Sequence, residues 1–268
     1  MSYREKLDLL CKDFQSLGKV LIAFSGGVDS SLLVKSAWDV LGKNAIAVTV
    51  RSSLFPEREF KEAHDFCLQL GIEHREFFFE GLEDPEFVQN PPNRCYICKK
   101  RLFKNLKEYA REQGLNYVVE GSNIDDTQDY RPGRQALREL GIKSPLLKAG
   151  FTKKELRLLS QELGLSTWDK PSGACLASRI PYGSQITREK LKMIDAAEQY
   201  LLELGFKQVR VRHHEKIARI EILPEEFSRI IDSETAAKIS KAFAEIGFTY
   251  NTLDLKGYRT GSLSLELT

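Results

Sequence analysis

The chain has 268 residues, of which 42% are apolar and 29% are charged, and its formal net charge is +2. This composition is typical of a globular protein, and the length suits one large domain and one small domain. The small net charge does not indicate nucleic-acid binding, and no apolar run reaches the length of a membrane span.

The N-terminal segment mixes charged and apolar residues at helical spacing, which predicts an amphipathic helix over residues 3–16. It lacks the uninterrupted apolar core of a signal peptide, so we expect a cytoplasmic protein. In that reducing compartment the five cysteines are expected to bind metal, take part in catalysis or lie buried rather than form disulfides.

Short apolar runs alternate with amphipathic segments along the first half of the chain. The apolar runs predict strands at Lys19–Phe24, Asn44–Val50, Glu73–Phe79 and Tyr117–Glu120. The amphipathic segments predict helices at Asp29–Leu41, Glu57–Leu70 and Lys99–Gln113. This alternation indicates an α/β fold in which a doubly wound parallel sheet is covered on both faces.

The last third of the chain has a different pattern, in which strands occur in pairs. Helices are predicted at Thr187–Leu204 and Ser233–Ile246, and strands at Gln208–Arg212, Ala218–Leu223 and Phe248–Leu255. This mixture predicts a second, smaller α+β domain. The preceding loop, 170–184, contains two prolines and two glycines, so we expect domains at residues 1–184 and 185–268.

The first predicted strand leads directly into the heptad Ser25–Ser31 (SGGVDSS), which leads into a helix. Its two glycines allow a sharp turn and a close approach of the backbone to a ligand. The N–H groups at the start of a helix favour an anion, and Ser25 and Ser30 add hydroxyl donors. The heptad is neither a Walker A motif nor a GxGxxG fingerprint. It predicts a different phosphate site, or else an ordinary turn with Asp29 as the helix N-cap.

A second polar segment, Gly121–Asp126 (GSNIDD), follows the fourth predicted strand. In a doubly wound sheet, ligands bind at the carboxyl ends of strands where the strand order reverses. A strand order of 3-2-1-4-5 would place the first and fourth strands on either side of that crevice. Asp125 and Asp126 are therefore candidates to hold Mg²⁺ or to orient a substrate, although a solvated acidic turn has the same pattern.

The cysteines fall into two groups. Cys11 and Cys67 lie on predicted helices among apolar residues, which core packing explains. Cys95 and Cys98 form a CxxC pair with basic neighbours that stabilise thiolates, and Cys175 lies among small residues in a predicted loop. A CxxC pair alone fits a redox pair, half of a zinc site or chance. Three thiolates suit an iron–sulfur cluster with one iron open to an exogenous ligand such as sulfide.

A basic segment, Gly205–Arg219, contains five lysines and arginines but one acid. Arg210 and Arg212 are two residues apart on a predicted strand, so their side chains are expected on one face. Two guanidinium groups on one face suit a phosphate or carboxylates, although a strand edge guarded by charge has the same pattern.

The heptad resembles the PP-loop of the N-type ATP pyrophosphatases, which include GMP synthetase, NAD synthetase, asparagine synthetase and the tRNA thiolation enzymes. The resemblance implies an adenine-nucleotide alpha-hydrolase-like fold and cleavage of ATP between the α and β phosphates. Mg²⁺ would bridge the phosphates, the substrate would be adenylated, and pyrophosphate would be released. The implied nucleotide-binding residues are Ser25, Gly26, Gly27, Asp29, Ser30, Gly121 and Asp125, with Asp29 also catalytic.

Three segments together resemble the LarE family over nearly the whole chain: the heptad, VVEGSNIDDTQDYRPGRQAL and DKPSGACLASRIPYGSQIT. Members of that family make the sulfur-bearing ligand of a nickel-pincer cofactor. The resemblance implies that a carboxylate of pyridinium-3,5-biscarboxylic acid mononucleotide is adenylated and converted to a thiocarboxylate, in a homo-oligomer. It also implies substrate contacts from Arg210, Arg212 and Glu198, and contacts to substrate or ATP phosphates from Ser178 and Arg179.

In one branch of the LarE family, the cysteine that Cys175 resembles gives up its own sulfur and becomes dehydroalanine. Cys95 and Cys98, which that branch lacks, resemble instead the branch with three cysteines that bind a [4Fe-4S] cluster. A protein that loses its own sulfur acts once, whereas a cluster that binds sulfide can turn over. We therefore expect Cys95, Cys98 and Cys175 to be catalytic cluster ligands. Sacrifice of the Cys175 sulfur and a persulfide relay are the alternatives.

Other functions are compatible with a PP-loop. A tRNA-thiolating enzyme would bind a polyanion through a larger basic surface. An ammonia-using ligase similar to NAD synthetase would keep its activity without the three cysteines. A non-catalytic nucleotide- or metal-binding module would bind ATP without releasing pyrophosphate. For the sulfur-transfer function, the expected partners are a small acidic mononucleotide and sulfide or a sulfur-donor protein, with no membrane or nucleic acid involved.

Overall fold

The structure, a computed structural model, describes residues 1–127, 132–171 and 173–259 and divides into two compact units. Unit 1 comprises residues 1–79 and 93–173, and unit 2 comprises residues 80–92 and the chain from residue 174 onward. The second unit therefore begins before the expected boundary at residue 185, and it includes a segment from the first half of the chain.

The described residues form seven strands and eleven α-helices. In chain order the strands are β1 (Val20–Ala23), β2 (Ala45–Arg51), β3 (Glu73–Phe78), β4 (Tyr117–Val119), β5 (Arg210–His214), β6 (Ile217–Glu221) and β7 (Tyr250–Leu253). The helices are α1 (Tyr3–Leu17), α2 (Val28–Leu41), α3 (Glu57–Leu70), α4 (Pro85–Val88), α5 (Arg94–Glu112), α6 (Pro132–Glu139), α7 (Pro145–Ala149), α8 (Lys153–Glu162), α9 (Arg188–Glu203), α10 (Phe227–Ile230) and α11 (Ser233–Ile246). No helix among the described residues is long and apolar enough to cross a membrane.

Unit 1 is built on a parallel sheet with the strand order β3-β2-β1-β4. Successive residues of β1 point to opposite faces, as the period of a strand requires. Val20 and Ile22 join a core with α1, α2, α3, α7 and α8, whereas Leu21 joins a core with α5 and α6. The predicted α/β fold is confirmed, and β1 and β4 are neighbours as expected. In place of a fifth strand, the described residues form an isolated bridge between Val119 and Lys143.

Unit 2 contains a mixed three-stranded sheet in the order β5-β6-β7, packed against α9 and α11. Strands β5 and β6 are antiparallel, whereas β6 and β7 are parallel, so the predicted α+β composition is confirmed. The prediction began the first strand at Gln208, but β5 begins at Arg210 and runs to His214. In the turn between β5 and β6, Glu215 has a φ of 55°, which is a left-handed conformation. Glycine or asparagine at this position would have predicted the turn from the sequence, but glutamate does not.

Segment 80–92 belongs to unit 2 because of hydrogen bonds between distant parts of the chain. The backbone N–H of Gly183 donates to the carbonyl oxygen of Asn90 over 3.0 Å. The side-chain amide of Asn90, which is buried, donates to three carbonyl oxygens of residues 180–184. Such contacts carry no local sequence pattern, which explains why the insertion was not predicted.

The start of α5 differs from the prediction in a way that changes the setting of the CxxC pair. The helix begins at Arg94 rather than at Lys99 as predicted, so Cys95 and Cys98 lie on the helix and not before it. Two prolines and Asn93 immediately precede the helix, and prolines are commonly found just outside or at the first position of a helix. Both cysteines therefore lie in the first turns of α5.

Candidate functional site

The loop between β1 and α2 has the backbone geometry of an anion site. Helix α2 begins at Val28, and its N-cap is Gly27, which offers no side-chain cap to the first N–H groups. The alternative in which Asp29 is the N-cap is wrong, because Asp29 lies inside the first turn. Gly26 has a φ of +69°, and a Cβ there would lie 3.3 Å from the Cβ of Ala63. The loop therefore needs glycine at this position for both its backbone conformation and its space.

The two serines of the loop have different environments. Ser30 is buried, and its hydroxyl donates to the carbonyl oxygen of Gly27 over 3.0 Å. The Ser25 hydroxyl lies 3.1 Å from the Ser30 hydroxyl oxygen. Ser30 thus supports the loop from inside, whereas Ser25 is exposed and accessible to a ligand.

The end of β4 lies directly against the first turn of α2. A Cβ at Gly121 would come within 3.2 Å of the backbone nitrogen of Ser30 and 3.4 Å of its Cα atom. Backbone atoms cannot move aside as a flexible side chain can, so glycine is needed for this close approach. Gly121 and the loop residues, predicted from separate parts of the sequence, therefore lie together.

Asp29 forms the main charged contact of the loop. Both of its carboxylate oxygens lie 2.8 Å from Nζ of Lys153, and the side-chain amide of Asn123 donates to Oδ2 over 3.2 Å. Burial raises the pKa of the Asp29 carboxyl above its usual value, and the ammonium of Lys153 offsets this effect in part.

The acids that follow β4 support the polypeptide around Asp29. Oδ2 of Asp125 accepts a hydrogen bond from the backbone N–H of Lys153, the first residue of α8, over 2.8 Å. Oδ2 of Asp126 accepts from the backbone N–H of Asn123 over 2.9 Å. Asp125, predicted as a nucleotide-site residue, therefore lies near the loop and also holds the start of α8.

A second lysine lies beside the loop. Nζ of Lys170 donates to the carbonyl oxygen of Gly26 over 2.9 Å and forms an ion pair of 2.6 Å with Glu62. Arg157 donates to the carbonyl oxygens of Trp168 and Lys170 over 2.9 Å each, which holds the segment that carries this lysine.

The sequence interpretation missed both lysines as site residues. Lys170 lies inside the DKPSG segment that carried the family resemblance, so a signal for it was present. No local pattern indicates a role for Lys153. It lies 124 residues after Asp29 in the chain and contacts it only in the folded structure.

The CxxC pair lies on one face of α5, because residues three apart on a helix are neighbours. Cys95 is exposed, whereas Cys98 is half-buried against the core of unit 1. The helix N-terminus and the adjacent basic residues favour thiolates at this position. All five cysteines lie in the described residues and none is disulfide-linked. Within the described part of the chain, no group of three or more His, Cys, Asp or Glu residues is placed to hold a metal ion.

Cys175, in unit 2, immediately precedes a short 3₁₀ turn, Leu176–Arg179. Arg179 donates from one nitrogen to the carbonyl oxygens of Ala174 and Cys175, over 2.6 and 3.0 Å. Its other two nitrogens form two hydrogen bonds of 2.9 Å with Glu198. Arg179 is 2% exposed and Glu198 is 1% exposed, so this ion pair is a buried anchor for the Cys175 backbone. Although burial by itself raises the pKa of Glu198, the guanidinium of Arg179 outweighs it and holds that pKa below its usual value.

The two arginines of β5 lie on one face, as the strand period predicted, but their surroundings differ. Arg212 is buried and forms a bidentate pair with Glu221, over 3.0 and 2.7 Å, and it donates to the carbonyl oxygen of Ser178. Arg210 is half-buried, with its guanidinium 5.3 Å from the ring centre of Tyr258. Burial and the nearby charge of Arg179 lower the pKa of Arg210. An anion beside Arg210 would stabilise the charged form of its guanidinium group.

The predicted site residues thus form three groups within the described chain. The first comprises the nucleotide-loop residues Ser25, Gly26, Gly27, Asp29, Ser30, Gly121 and Asp125. The second is the pair Cys95 and Cys98 on α5, also in unit 1. The third, in unit 2, comprises Cys175, Ser178, Arg179, Glu198, Arg210 and Arg212, which are linked by the hydrogen bonds described above or lie beside them.

Known proteins resemble this chain over both units. The NAD synthase family model matches residues 6–85. The pyridinium-3,5-bisthiocarboxylic acid mononucleotide synthase of Lactiplantibacillus plantarum is 41% identical over 95% of this chain and 92% of that protein. An uncharacterized protein of Synechocystis sp. is 46% identical over 98% of both chains. The tRNA-specific 2-thiouridylase MnmA of Limosilactobacillus reuteri is 29% identical over 57% of this chain and 49% of that protein.

Proposed function

This chain belongs to the LarE family of PP-loop enzymes and is an ATP-dependent sulfurtransferase, and we propose that it converts a carboxylate of a pyridinium dicarboxylic acid mononucleotide into a thiocarboxylate. The substrate is proposed from the name of the Lactiplantibacillus plantarum relative, whose product carries two thiocarboxylates. The observation that carries the proposal is the start of α2, where an uncapped helix N-terminus, the Ser25 hydroxyl and the Asp29 carboxylate surround one loop.

Three features of unit 1 support binding of a nucleotide polyphosphate at this loop. The N-terminus of α2 stabilises an anion by about 0.3–1 kcal/mol through its dipole, and its N–H groups add hydrogen bonds. The Ser25 hydroxyl is exposed beside them. The Lys170 ammonium, held at the Gly26 carbonyl, adds a positive charge near the phosphates.

The residues at the loop also fit a magnesium ion. Mg²⁺ in phosphoryl-transfer sites is bound through one or two carboxylates together with the phosphates of the substrate, so a cluster of three acidic ligands is not required. Asp29 would provide the carboxylate. When bound, Mg²⁺ would neutralise phosphate charge and make the α-phosphate a better electrophile.

The proposed first step is adenylation of the substrate. A carboxylate oxygen of the mononucleotide attacks the α-phosphorus of ATP, and the bond to the bridging oxygen of the β-phosphate breaks. Pyrophosphate leaves with the electron pair, and the substrate becomes an acyl-adenylate. We propose that the ammonium of Lys170, which donates to the Gly26 carbonyl oxygen, stabilises the charge on the departing phosphates.

In the second step, a sulfur nucleophile attacks the acyl carbon and AMP leaves, which yields the thiocarboxylate. Cys95 and Cys98 fit as two ligands of an iron–sulfur cluster, because they lie on one face at a helix N-terminus that favours thiolates. We propose Cys175 as the third ligand of a [4Fe-4S] cluster, which would supply an iron able to bind sulfide. Sacrifice of the Cys175 sulfur, or a persulfide on it, remains the alternative.

In unit 2 we propose that Arg210 contacts the substrate phosphate and that Ser178 contributes its hydroxyl to the same site. Arg179 and Glu198 then act through the backbone of Cys175, which they hold in place. Arg212 acts similarly through the carbonyl of Ser178. We further propose that the protein works as a homo-oligomer in the cytoplasm, with sulfide or a sulfur-donor protein as its partner.

The test of this function is an anaerobic assay with ATP, Mg²⁺, sulfide and the pyridinium dicarboxylic acid mononucleotide. We expect pyrophosphate release that depends on the mononucleotide, and a product in which sulfur replaces oxygen, detected by mass spectrometry. Asp29→Ala should abolish both, whereas Asp39→Ala, farther along the same helix and half exposed, should not. Pyrophosphate release without a sulfur-containing product would contradict the proposed sulfur transfer, and full activity of Asp29→Ala would contradict the nucleotide site.

A further inference from the structure

Lys153 forms an ion pair with the carboxylate of Asp29, which a divalent cation at the loop would need as a ligand. Its Nζ lies 2.8 Å from both oxygens of Asp29, and Asn123 donates a further hydrogen bond to one of them. The side chains of Lys153 and Asp29 are 31% and 21% exposed, so the pair is largely buried but still accessible to solvent. As long as this contact persists, a cation that approaches Asp29 meets an ammonium group.

The backbone of Lys153 is fixed, whereas its side chain can move. Thr152 and Glu155 form a capping box at the start of α8, and Asp125 accepts the hydrogen bond from the Lys153 N–H. These contacts hold the Cα atom in place without restraining the ammonium. The four-carbon stem of a lysine has several rotatable bonds, so its charge can move between acceptors with no change in fold.

A nearby positive charge stabilises the ionised form of Asp29. Burial disfavours the ionised carboxylate, and Lys153 is the cation that compensates for it in the structure. A divalent cation can take over this compensation, but Lys153 would then lie beside a stronger positive charge. The phosphate oxygens of a nucleotide in the adjacent loop would then offer its ammonium another acceptor.

We propose that Lys153 is an exchangeable counter-ion. It neutralises Asp29 and excludes divalent cations when the loop is empty, and it moves to a phosphate oxygen when the cation and nucleotide arrive together. This inference rests on the proposed function, because it assumes that the loop binds a polyphosphate. It adds that the protein binds the cation–nucleotide complex and discriminates against the cation alone.

The test measures Mn²⁺ binding to the full chain by electron paramagnetic resonance, which reports free Mn²⁺ directly and needs no catalytic activity. Without nucleotide, Lys153→Met should bind Mn²⁺ about tenfold or more tightly than wild type, because the competing charge is gone. In equilibrium dialysis with ATP and Mn²⁺, the same variant should bind the nucleotide about tenfold more weakly, because one charged hydrogen bond is lost. Lys154→Met, the exposed neighbour on the same turn, should match wild type in both measurements.

Two further variants protect the test against misfolding. Lys153→Gln keeps a hydrogen-bond donor for Asp29 without a charge and should show the same gain in Mn²⁺ affinity. The double variant Asp29→Asn with Lys153→Met should lose that gain, since the carboxylate is gone.

The failures of the two hypotheses are distinguishable. If wild type binds ATP with Mn²⁺ but Lys153→Met and Lys153→Gln match it in both measurements, the exchange is overturned and the nucleotide site stands. If wild type does not bind ATP with Mn²⁺ at all, the proposed function fails and the exchange fails with it.

Discussion

The charged residues of the two units differ in how they are paired. At the loop of unit 1, lysines pair with the acids Asp29 and Glu62, and these side chains remain partly exposed. In unit 2, Arg179 and Arg212 form bidentate pairs with glutamates that are almost completely buried.

This difference indicates different roles. A lysine is a mobile point charge that can change partners, whereas a buried arginine–carboxylate pair is geometrically fixed, and breaking it leaves an uncompensated charge. We therefore expect the lysine pairs to control ligand binding and the arginine pairs to maintain the structure around Cys175. The following predictions test that contrast, from the largest effect to the smallest.

The largest effect is expected from Glu198→Ala, which leaves the buried guanidinium of Arg179 without its carboxylate. Removal of one partner from a buried ion pair typically lowers the free energy of unfolding by about 3–5 kcal/mol. Urea denaturation should show this loss, and Glu203→Ala, at the exposed end of the same helix, serves as the control. Exposed ion pairs contribute less than about 1 kcal/mol to stability. A loss in that range would contradict the proposed difference between the two units.

A smaller loss of stability is expected at acidic pH. It arises from His74, whose hydrogen bonds lead to the residue just before the nucleotide loop. Burial, and to a lesser extent the neighbouring His64, lower the pKa of His74 to about 4. Its Nε2 lies 2.9 Å from the hydroxyl of Thr49, which donates to the carbonyl oxygen of Phe24, just before the loop. The unfolded chain therefore binds the additional proton first, and the free energy of unfolding should fall as the pH falls from about 6.5 to about 4.

His74 is partly exposed, so solvent screening limits this loss to about 1–2 kcal/mol. The measurement is urea denaturation across that pH range for wild type and for His74→Gln, which cannot titrate. The variant should show a shallower pH dependence. An identical slope in both proteins would exclude His74 as the titrating group.

Lys170→Met tests the lysine side of the contrast. Loss of a charge near the bound phosphates should raise the dissociation constant for ATP about tenfold, which corresponds to about 1.4 kcal/mol, with little change in the free energy of unfolding. Lys170→Arg should recover part of the affinity. The fluorescence of the exposed Trp168, two residues away, is the binding signal to measure. If Lys170→Met lowers the free energy of unfolding but binds ATP as wild type does, the lysine is structural and the contrast fails.

The smallest effect is expected from Asp39→Asn, which removes the exposed pair with Lys35 on α2. Such pairs within a helix contribute about 0.3–0.5 kcal/mol. Thermal unfolding should therefore change little, and ATP affinity should not change. A large loss of affinity would mean that charges far along α2 act on the loop, so that the role of Asp29 would not be specific.

The architecture was predictable wherever the sequence carries a local period. The alternation around Val20, Leu21 and Ile22 reflects a strand buried on both faces, and the glycines of the heptad mark a loop with special backbone geometry. The positions of Arg210 and Arg212 on one face follow from the same period of a strand.

The partners of these residues could not be predicted, because they come from distant parts of the chain. Lys153 meets Asp29, and Glu221 meets Arg212, only in the folded units. The early start of α5, which places Cys95 and Cys98 on a helix, was missed because the basic residues there obscure the amphipathic pattern.

The central claim is that the substrate carboxylate is adenylated before sulfur enters, and labelled oxygen tests it most directly. The mononucleotide, with a heavy isotope of oxygen in its carboxylates, would be incubated anaerobically with the enzyme, ATP, Mg²⁺ and sulfide, and the AMP would be analysed by mass spectrometry. Attack by the carboxylate on the α-phosphorus predicts one heavy oxygen in each AMP, formed together with the thiocarboxylate. Thiocarboxylate formed with unlabelled AMP, or with the label in phosphate, would contradict adenylation of the substrate.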